Sequence, residues 1–462
     1  MSPDGSRTIG SGGGSVIATD VLVVGAGSSG FAAAVASAES GASTVLVDGA
    51  DLVGGTLSNQ LLESSAGFTD RQCRLLVGGV AGRLVRELVR LGSSPGHVPD
   101  YTGYSGTRLP VNHYELALCE SAMLSKAGVR VLLRHTATEA GGSGERQYRV
   151  RLEGPGGSVY VHARAVVDCT GDADMVALLG GSFQSDGMDR LQPASLLFKI
   201  GDLNFERLLS WARANPGYFR PGSTFPEPSV ANVHLWGFGP LLRRAFDEGA
   251  LDLRRQELHF SGWPNRREAV INATRVAVAP LDGESLGARA ADLSRQVLGV
   301  VEFFRRYVPG GEECRLIEVA NRIGVRESRR ILGEWTLTED EIRTHAVTDD
   351  SIALCAFPID IHDNVGPSLT HTELVEEPFG IPFGCLVPRG TDSLFVAGRS
   401  ISTTHVANGS IRQTAQCFAT GEAAGVAAAL ACRGSAGQSG DGVTPRAVRS
   451  ALVARGAIVA LD

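Results

Sequence analysis

Lysine is almost absent from this chain of 462 residues, because Lys126 and Lys199 are the only two. A catalytic lysine is therefore not expected at any other position. Acidic residues (50) outnumber basic residues (43), and the formal net charge is -7. This balance provides no general attraction for phosphate backbones or anionic lipid. We expect neither nucleic acid nor a membrane as a partner.

The chain also lacks paired cysteine motifs and long apolar runs. Its eight cysteines show no C-x-x-C and no zinc-like spacing, which favours a reducing compartment and no metal site. No run of 18 apolar residues occurs, and residues 1–15 are rich in Ser and Gly. We therefore expect a cytoplasmic protein whose residues 1–18 form a disordered tail.

With 43% apolar and 20% charged residues, the composition is that of a globular enzyme. The first ordered segment predicts a βαβ unit. Val21–Val24 is a short β-branched run bounded by Gly25, which is typical of a strand buried in a parallel sheet. A helix is expected over Phe31–Ser40, ended by Gly41, followed by a second buried strand over Thr44–Val47.

The turn between this strand and helix has the sequence G-x-G-x-x-G. Gly25 permits the tight turn, Gly27 lets the backbone approach a pyrophosphate, and Gly30 allows the helix to pack closely on the strand. The helix N-terminus stabilises phosphate charge, and Asp48, after the next strand, can accept the ribose hydroxyls. The motif in this context predicts an adenine dinucleotide site; the alternative is a glycine-rich turn without a ligand.

Further elements follow at regular intervals along the chain. Their predicted bounds are helices over Gly78–Leu91, His113–Ala127 and Ser410–Ala431, strands over Val129–Leu133, Ala165–Cys169 and Ser393–Ala397, and a hairpin of Tyr148–Leu152 and Val159–Val161. Residues 183–379 hold most of the aromatic and proline residues and no second glycine fingerprint, which suits a substrate-covering domain. Residues 434–442 are typical of a linker.

Several stretches together resemble FAD flavoproteins of the glutathione-reductase-like fold, and more closely the bacterial FAD-dependent oxidoreductase family. The resemblance runs from about residue 19 to residue 460, and its most specific part is the C-terminal block. The stretches that carry it are the opening glycine motif, Gly54-Gly55-Thr56, Leu76–Gly79, Thr170-Gly171-Asp172, Asn321–Ile331 with Leu337-Thr338, Ile381–Phe383, and Val396–His405 continuing to Gly409–Arg412.

The resemblance implies an α/β fold: a Rossmann-like FAD-binding domain with a parallel sheet, discontinuous over 19–185 and 380–462, and an inserted mixed α+β substrate or cap domain over 186–379. It also implies FAD as the cofactor, with a helix N-terminus near Asn408-Gly409-Ser410 facing the flavin; the alternative is that these three residues form only a helix cap. The implied FAD-binding residues are Gly25, Gly27, Ser28, Ser29, Gly30, Asp48, Gly55, Thr56, Leu57, Ala137, Gly171, Asp172, Gly398, Arg399, Asn408, Gly409 and Ser410.

His405, Arg326 and Arg329 are the candidate catalytic residues. In the resembling family a histidine stands near the flavin at the position of His405, where it can act as a general acid or base. Arg326 and Arg329 can bind a carboxylate or stabilise an oxyanion. The alternatives are a structural histidine and structural ion pairs of the arginines with Glu327 or Glu318.

Other polar side chains are weaker candidates. His362, Asp363 and His371 fall in a polar segment that either lines a pocket or lies at the surface, and the surface position is the expectation. Cys73 is expected to be an inert thiol, with a covalent flavin link as the alternative.

The reaction expected is two-electron oxidation of a small organic substrate by hydride transfer to flavin N5, with oxygen or another electron acceptor reoxidising the flavin. No second G-x-G-x-x-G and no C-x4-C near residues 55–65 occur, which argues against a disulfide reductase. The alternatives are a reductase or monooxygenase fed by NAD(P)H or a partner reductase, and a flavin-binding protein without turnover. Homo-oligomerisation is left open.

Overall fold

The structure is a computed structural model that describes residues 8–9, 15–143, 146–187, 190–253, 255–362, 370–391, 393–433 and 443–461. The predicted linker at 434–442, Asp363 and most of the predicted N-terminal tail lie outside the described residues.

The strands of the described residues are β1 (Thr8–Ile9), β2 (Ser15–Val24), β3 (Thr44–Asp48), β4 (Ser64–Ser65), β5 (Val98–Pro99), β6 (Thr107–Pro110), β7 (Arg130–Leu133), β8 (Thr136–Ser143), β9 (Arg146–Gly154), β10 (Gly157–Asp168), β11 (Phe183–Ser185), β12 (Phe198–Gly201), β13 (Val233–Gly237), β14 (Leu258–Trp263), β15 (Glu268–Asn272), β16 (Arg315–Val319), β17 (Arg329–Ile331), β18 (Ser351–Cys355), β19 (Ile359–His362), β20 (Thr370–Glu373), β21 (Phe379–Pro382) and β22 (Leu394–Val396). The α-helices are α1 (Ser28–Glu39), α2 (Gly55–Asn59), α3 (Gly79–Arg90), α4 (His113–Lys126), α5 (Asp174–Leu178), α6 (Phe205–Ala214), α7 (Gly239–Asp247), α8 (Gly283–Tyr307), α9 (Glu339–Arg343), α10 (His405–Ile411), α11 (Thr414–Arg433) and α12 (Pro445–Ala454).

The main sheet has the order β7-β3-β2-β10-β9-β8, and β22 pairs with the C-terminal part of β10. The pairs β7–β3, β3–β2, β2–β10 and β10–β22 are all parallel. Parallel strands joined through α1 and α4 form the Rossmann-like arrangement that the first motif predicts. Because β22 comes from residues 394–396, the sheet is built from both ends of the chain, as expected.

Two local predictions about this sheet are wrong. The strand predicted at Val21–Val24 begins earlier, at Ser15, because β2 continues back along β10 to the pair Ser15↔Val159, and β1 pairs with the start of β2, so the described residues of the predicted tail lie in strands. The hairpin strand at Val159–Val161 and the buried strand at Ala165–Cys169 are one strand, β10. Its first half pairs with β9 and its second half with β22, so the change of partner gives two different burial patterns within one strand.

A second sheet, which we call the cap sheet, consists of five antiparallel strands in the order β13-β14-β15-β12-β16. It has a hydrophobic cluster of its own that includes Phe198, Phe260 and Phe304. Residues from Ile331 to Phe379, which the sequence analysis assigned to the cap domain, pack instead in the cluster of the main sheet. The domain division at 380 therefore remains a prediction.

A buried ion-pair cluster joins the cap sheet to the part of the protein that contains the main sheet. Lys199, on β12, places Nζ 2.9 Å from Oε1 of Glu63, and the same oxygen lies 2.6 Å from Nδ1 of His113. Burial raises the pKa of Glu63, but the hydrogen bond of His113 and the charge of Lys199 outweigh it and hold the pKa below its usual value. Lys199, one of the two lysines of the chain, thus has a structural role: it links the cap sheet to the segments that carry Glu63 and His113.

Helix α11 is long and apolar enough to cross a membrane by length and composition alone, but 78% of that window is buried inside the protein. It packs along α1, where Gly421 and Gly425 permit the contact: a Cβ at these positions would lie 2.1 Å from the Ser29 carbonyl oxygen and 2.2 Å from that of Ala33. This burial identifies α11 as a core helix.

Glu120, on α4, is fully buried, and neither of its carboxylate oxygens has a hydrogen-bond partner among the described residues. Burial raises the pKa of Glu120 from 4.5 to about 8. Between pH 4.5 and about 8, Glu120 is protonated in the folded protein and ionised in the unfolded chain. Stability therefore falls as the pH rises from 4.5 to 8, by up to about 1.4 kcal/mol per pH unit.

We predict that Glu120→Gln removes this contribution, so that the variant gains stability over wild type as the pH rises toward 8. Urea unfolding at a series of pH values measures the difference. Glu115→Gln, which changes an exposed carboxylate on the same helix, is the control. An identical slope in wild type and Glu120→Gln would show that Glu120 is ionised in the folded protein.

Candidate functional site

A cavity of about 440 Å³ lies between the C-terminal edge of the main sheet and the cap sheet. Its wall is formed by segments from across the chain, including the glycine-rich turn, the end of β10, the strands β14 and β15, the segment 322–326, and the start of α11. Ligands of open α/β sheets bind at this edge. We divide the wall into a nucleotide half, near the glycine-rich turn, and a cap half, near β14 and β19.

The nucleotide half is built on the N-terminus of α1. Gly25 has φ 98°, and a Cβ there would lie 2.3 Å from the Cys169 carbonyl oxygen, so only glycine fits. No side chain caps α1, and its first turn carries no acidic residue. Ser28 Oγ is buried without a partner among the described residues. These free donors at a helix N-terminus suit a pyrophosphate, so the residues present fit the dinucleotide that the motif predicts.

Asp48 lies in the same wall and also holds the turn together. Its Oδ2 accepts the Ala26 N–H at 2.6 Å, and its Oδ1 accepts the Ala50 N–H at 2.7 Å. Each oxygen keeps a further lone pair for a ribose hydroxyl. Arg322 lies 3.8 Å from Oδ1.

Asp172 and Arg399, from opposite ends of the chain, meet in the nucleotide half. Arg399 Nη2 donates to Asp172 Oδ1 at 2.8 Å, and Ser328 Oγ donates to the same oxygen at 2.5 Å. Burial raises the pKa of Asp172, but the Arg399 charge and the Ser328 hydrogen bond outweigh it, so the pKa is below its usual value. The carboxylate stays ionised and fixes the loop after β10 to Arg399.

The structure places eleven of the predicted FAD-binding residues in the cavity wall and six of them elsewhere. Those in the wall are Gly25, Gly27, Ser28, Ser29, Asp48, Gly55, Thr56, Gly171, Asp172, Gly398 and Arg399. Gly30 instead packs on Gly25, since its Cβ would meet the Gly25 carbonyl oxygen at 1.6 Å. Leu57 is buried in the hydrophobic core. Ala137, on β8, is half-buried at the edge of that core and outside the wall.

The predicted flavin-facing helix start at Asn408-Gly409-Ser410 is wrong. These residues lie inside α10, which begins earlier, after the cap residue Thr404. They are buried: Asn408 Nδ2 donates to the Arg399 carbonyl at 2.7 Å, and Ser410 Oγ donates to the Phe357 carbonyl at 2.5 Å. The helical segment breaks after α10, and α11 begins at Thr414, so Arg412, Gln413 and Thr414 line the cavity instead.

Of the three predicted catalytic residues, only Arg326 lines the cavity. His405 is the first residue of α10, outside the wall, and its Nδ1 lies 2.9 Å from Glu327 Oε1. Arg329 donates to the Asp172 carbonyl oxygen at 2.6 Å and pairs with Asp174. Among the described residues, neither Arg326 nor Arg329 forms the predicted ion pair with Glu327 or Glu318.

Glu327, His405 and Asp186 place one ligand atom each within 4.8 Å of one another. The guanidinium of Arg330 already bridges the two carboxylates, with Nη2 2.6 Å from Asp186 and Nη1 hydrogen-bonded to Glu327. An arginine therefore already pairs with both carboxylates, and the cluster offers no argument for a cation.

The cap half contains polar residues that the sequence analysis did not assign to a site. They are Tyr104, Trp236, Arg255, His259, Asn272, Asp360 and Arg412. His362, expected at the surface, is buried in the same wall, with Nε2 3.3 Å from Asp360 Oδ2, while His371 is exposed. Burial lowers the pKa of His362 to about 3 against the opposing charge of Asp360, so this imidazole is neutral.

His259 and His234 form a hydrogen-bonded pair through their Nε2 atoms, and His259 lines the cavity. Burial, with the charge of Arg108 next, lowers the pKa of both histidines well below 6.5, and both are therefore neutral at pH 7. Within the described residues, Nδ1 of His259 makes no hydrogen bond. When Nε2 of His259 donates to Nε2 of His234, Nδ1 of His259 is a proton acceptor; in the other tautomer Nδ1 carries the proton.

The thiols near the cavity are unreactive. Cys169 and Cys417 line the wall, and burial raises the pKa of Cys169 and raises that of Cys417 to about 12. Cys73 is exposed and lies outside the wall. None of these three cysteines is therefore placed as a thiolate beside a ligand in the cavity.

Several solved structures resemble this chain at low sequence identity. Similar structures include a geranylgeranyl bacteriochlorophyll reductase-like protein from Thermoplasma acidophilum (12% identity, 96% of this chain and 85% of that chain, TM-score 0.47) and the anhydrotetracycline hydroxylase OxyS from Streptomyces rimosus (14%, 95% and 66%, TM-score 0.40). A p-nitrophenol 4-monooxygenase, PnpA, from Pseudomonas putida DLL-E4 is another (12%, 69% and 70%, TM-score 0.39). At these identities and scores the likeness carries no information on the reaction.

No curated protein sequence matches the chain. The sequence does match the family described as FAD dependent oxidoreductase over residues 20–452, which include the glycine-rich turn, the cap sheet and the C-terminal helices. The chain belongs to the FAD dependent oxidoreductase family, and its cofactor is FAD.

Proposed function

We propose that this protein is a dehydrogenase or oxidase that removes two electrons from a small organic substrate held in the cap half of the cavity. The observation that carries the proposal is the continuity of the cavity: one space joins the FAD-binding turn to a wall of buried polar side chains. FAD, when bound, supplies the two-electron acceptor. We also propose that the fold is of the glutathione-reductase-like group.

In this proposal the nucleotide half holds the cofactor. The N-terminus of α1 and Ser28 bind the pyrophosphate, Asp48 binds the ribose, and the loop fixed by Asp172 and Arg399 approaches from the other side. The N-terminus of α11 at Gln413 and Thr414 replaces the predicted Asn408–Ser410 segment as the positive helix end in the cavity.

We assign proton transfer to His259 and not to His405. Oxidation of a C–H bond next to a hydroxyl or amine releases a proton, which a neutral base in the wall must accept. Nδ1 of His259 accepts it, and the Nε2 proton of His259 then passes to Nε2 of His234 along their hydrogen bond. His405 lies outside the wall, where it contacts Glu327 and not the proposed substrate space.

Anaerobic reduction of the FAD-loaded protein tests the proposal. We expect NADPH alone to leave the visible absorbance of the flavin unchanged, and one class of organic substrates to bleach it. Readmission of oxygen then restores the colour. Rapid bleaching by NADPH without substrate would contradict the proposal and favour a reductase or monooxygenase. A flavin reduced by no candidate and by no nicotinamide would favour a binding protein without turnover.

A further inference from the structure

Arginines are concentrated in the cap half of the cavity. Arg255, Arg326 and Arg412 all line it, and they come from three distant segments of the chain. Arg255 precedes β14, Arg326 precedes β17, and Arg412 joins α10 to α11. The cap sheet and the C-terminal helices bring them to one wall.

These three guanidinium groups are incompletely paired. Arg326 Nη1 donates to the Pro193 carbonyl at 2.5 Å and to Ser195 Oγ at 2.8 Å, both uncharged. Arg255 Nε donates to the Glu257 carbonyl at 3.0 Å, while its Nη1 is buried without a partner. Neither arginine forms an ion pair with a carboxylate among the described residues.

Arg412 has one anionic neighbour, Asp360. Its Nη2 lies 3.5 Å from Asp360 Oδ2, and its Nε is buried without a hydrogen bond in the described part of the chain. The other acidic neighbour of Arg255, Glu257, is already paired with Arg220 at 2.6 Å. The three arginines therefore share one remaining carboxylate, Asp360, and carry an excess of two positive charges. The arginines outside the cap half are different: Arg399 is paired with Asp172, and Arg108 lies 3.2 Å from Asp100.

Buried unpaired cations are costly, and burial together with the neighbouring arginines lowers the pKa of Arg326. A bound anion relieves this cost, and a guanidinium fork matches a carboxylate in two parallel hydrogen bonds. Beside the arginines, the rings of Tyr104, Trp236 and Phe357 form an aromatic patch. The ring centroid of Tyr104 lies 5.0 Å from that of Trp236 and 5.2 Å from that of Phe357. The wall therefore combines positive charge with an apolar surface.

We infer that the substrate is an organic acid whose carboxylate binds Arg326, Arg255 and Arg412 and whose carbon skeleton packs on Tyr104, Trp236 and Phe357. The inference rests on the proposed function, because it takes the cap half as the substrate site. The cationic wall selects substrate anions and excludes the neutral analogue, since an uncharged group would leave the guanidinium groups unpaired.

Binding measured without turnover tests this inference separately from the reaction. The FAD-loaded wild-type protein is titrated under anaerobic conditions with acetate, succinate and phenylacetate and with their amides. The perturbation of the flavin spectrum and the shift of Tm are recorded. We expect at least one carboxylate to bind about tenfold or more tightly than its amide. Equal binding of each pair, or no binding of any carboxylate at millimolar concentration, would overturn the inference.

Variants locate the binding. Arg326→Gln and, in case that variant does not fold, Arg255→Gln are each expected to weaken carboxylate binding about tenfold or more. Arg244→Gln is the matched control, because Arg244 lies on α7 outside the cavity wall with a side chain that is 66% exposed, and carboxylate binding should not change. Wild-type affinity in both Arg326→Gln and Arg255→Gln would contradict the inference.

Inorganic phosphate provides the competing anion. We expect it to displace the carboxylate weakly, whereas displacement at lower concentration than any carboxylate would overturn the carboxylate assignment in favour of a phosphate ester. A protein that binds carboxylates but is bleached by none of them would leave the anion site standing and contradict the proposed dehydrogenation. Bleaching by a neutral substrate, without binding of any carboxylate, would contradict the anion site and leave the proposed dehydrogenation standing.

Discussion

His259→Gln is expected to slow substrate-dependent flavin reduction by about a hundredfold or more, the loss typical of a removed general base. Glutamine keeps a hydrogen-bonding group near His234 but cannot take up a proton at pH 7. Stopped-flow absorbance under anaerobic conditions, at saturating substrate, measures the step. Because burial keeps the pKa of His259 well below 6.5, the wild-type rate should also be independent of pH from 6.5 upward.

His405→Gln is the matched control for this prediction. It removes an imidazole that contacts Glu327 outside the cavity wall, and we expect a change of less than about tenfold with FAD retained. The sequence-based hypothesis makes the opposite prediction. A hundredfold loss in His405→Gln with a normal rate in His259→Gln would return the proton transfer to His405.

Asp48→Ala is expected to weaken FAD binding by about tenfold to a hundredfold. The carboxylate accepts two backbone N–H groups that shape the glycine-rich turn, and each such charged hydrogen bond contributes roughly 1.5–3 kcal/mol. Part of that energy is lost from the turn itself and part from contact with the ribose. Equilibrium dialysis of the apoprotein against FAD measures the affinity, and far-UV circular dichroism confirms that the variant folds.

Asp51→Ala controls for the loss of one negative charge in the same segment. Asp51 is 82% exposed and faces Arg134 at the surface, so its removal should leave FAD affinity unchanged. Unaltered FAD binding in Asp48→Ala would show that Asp48 neither shapes the turn nor contacts the cofactor.

The nucleotide half could be predicted from the sequence because its signals are local. The strand, the glycine-rich turn, the helix and Asp48 follow one another within a single βαβ unit, and each glycine has a steric reason that can be read from the motif. The helices at α3 and α4 and the strands at β7 and β22 were likewise predicted from periodicity to within a few residues.

The cap half could not be predicted in the same way. Arg255, His259, Arg326, Asp360 and Arg412 stand far apart in the chain, and only the cap sheet and the C-terminal helices bring them together. His362 opens a polar segment that continues with Asp363, and the polar composition of that segment suggested the surface. For Arg412 the sequence did offer an indication of a functional role, because this residue ends the C-terminal stretch that carries the most specific family resemblance.

The break between α10 and α11 illustrates a tertiary effect on a helix. The run of small residues from Ser410 onward predicts one continuous helix, since alanine has the highest helix propensity. In the structure Gly409 packs against the backbone of Asp360, where a Cβ would lie 3.0 Å from the carbonyl oxygen, and Ser410 bonds to Phe357. These contacts fix α10 on β19 and turn the start of α11 toward the cavity.

The most direct test of the account is the visible spectrum of the purified protein before and after acid precipitation. We expect a yellow protein whose colour is released into the supernatant as FAD, because burial raises the pKa of both wall cysteines and Cys73 lies outside the cavity. Colour that stays with the pellet would contradict non-covalent binding. A colourless protein that cannot be reconstituted with FAD would contradict the assignment of the glycine-rich turn and everything built on it.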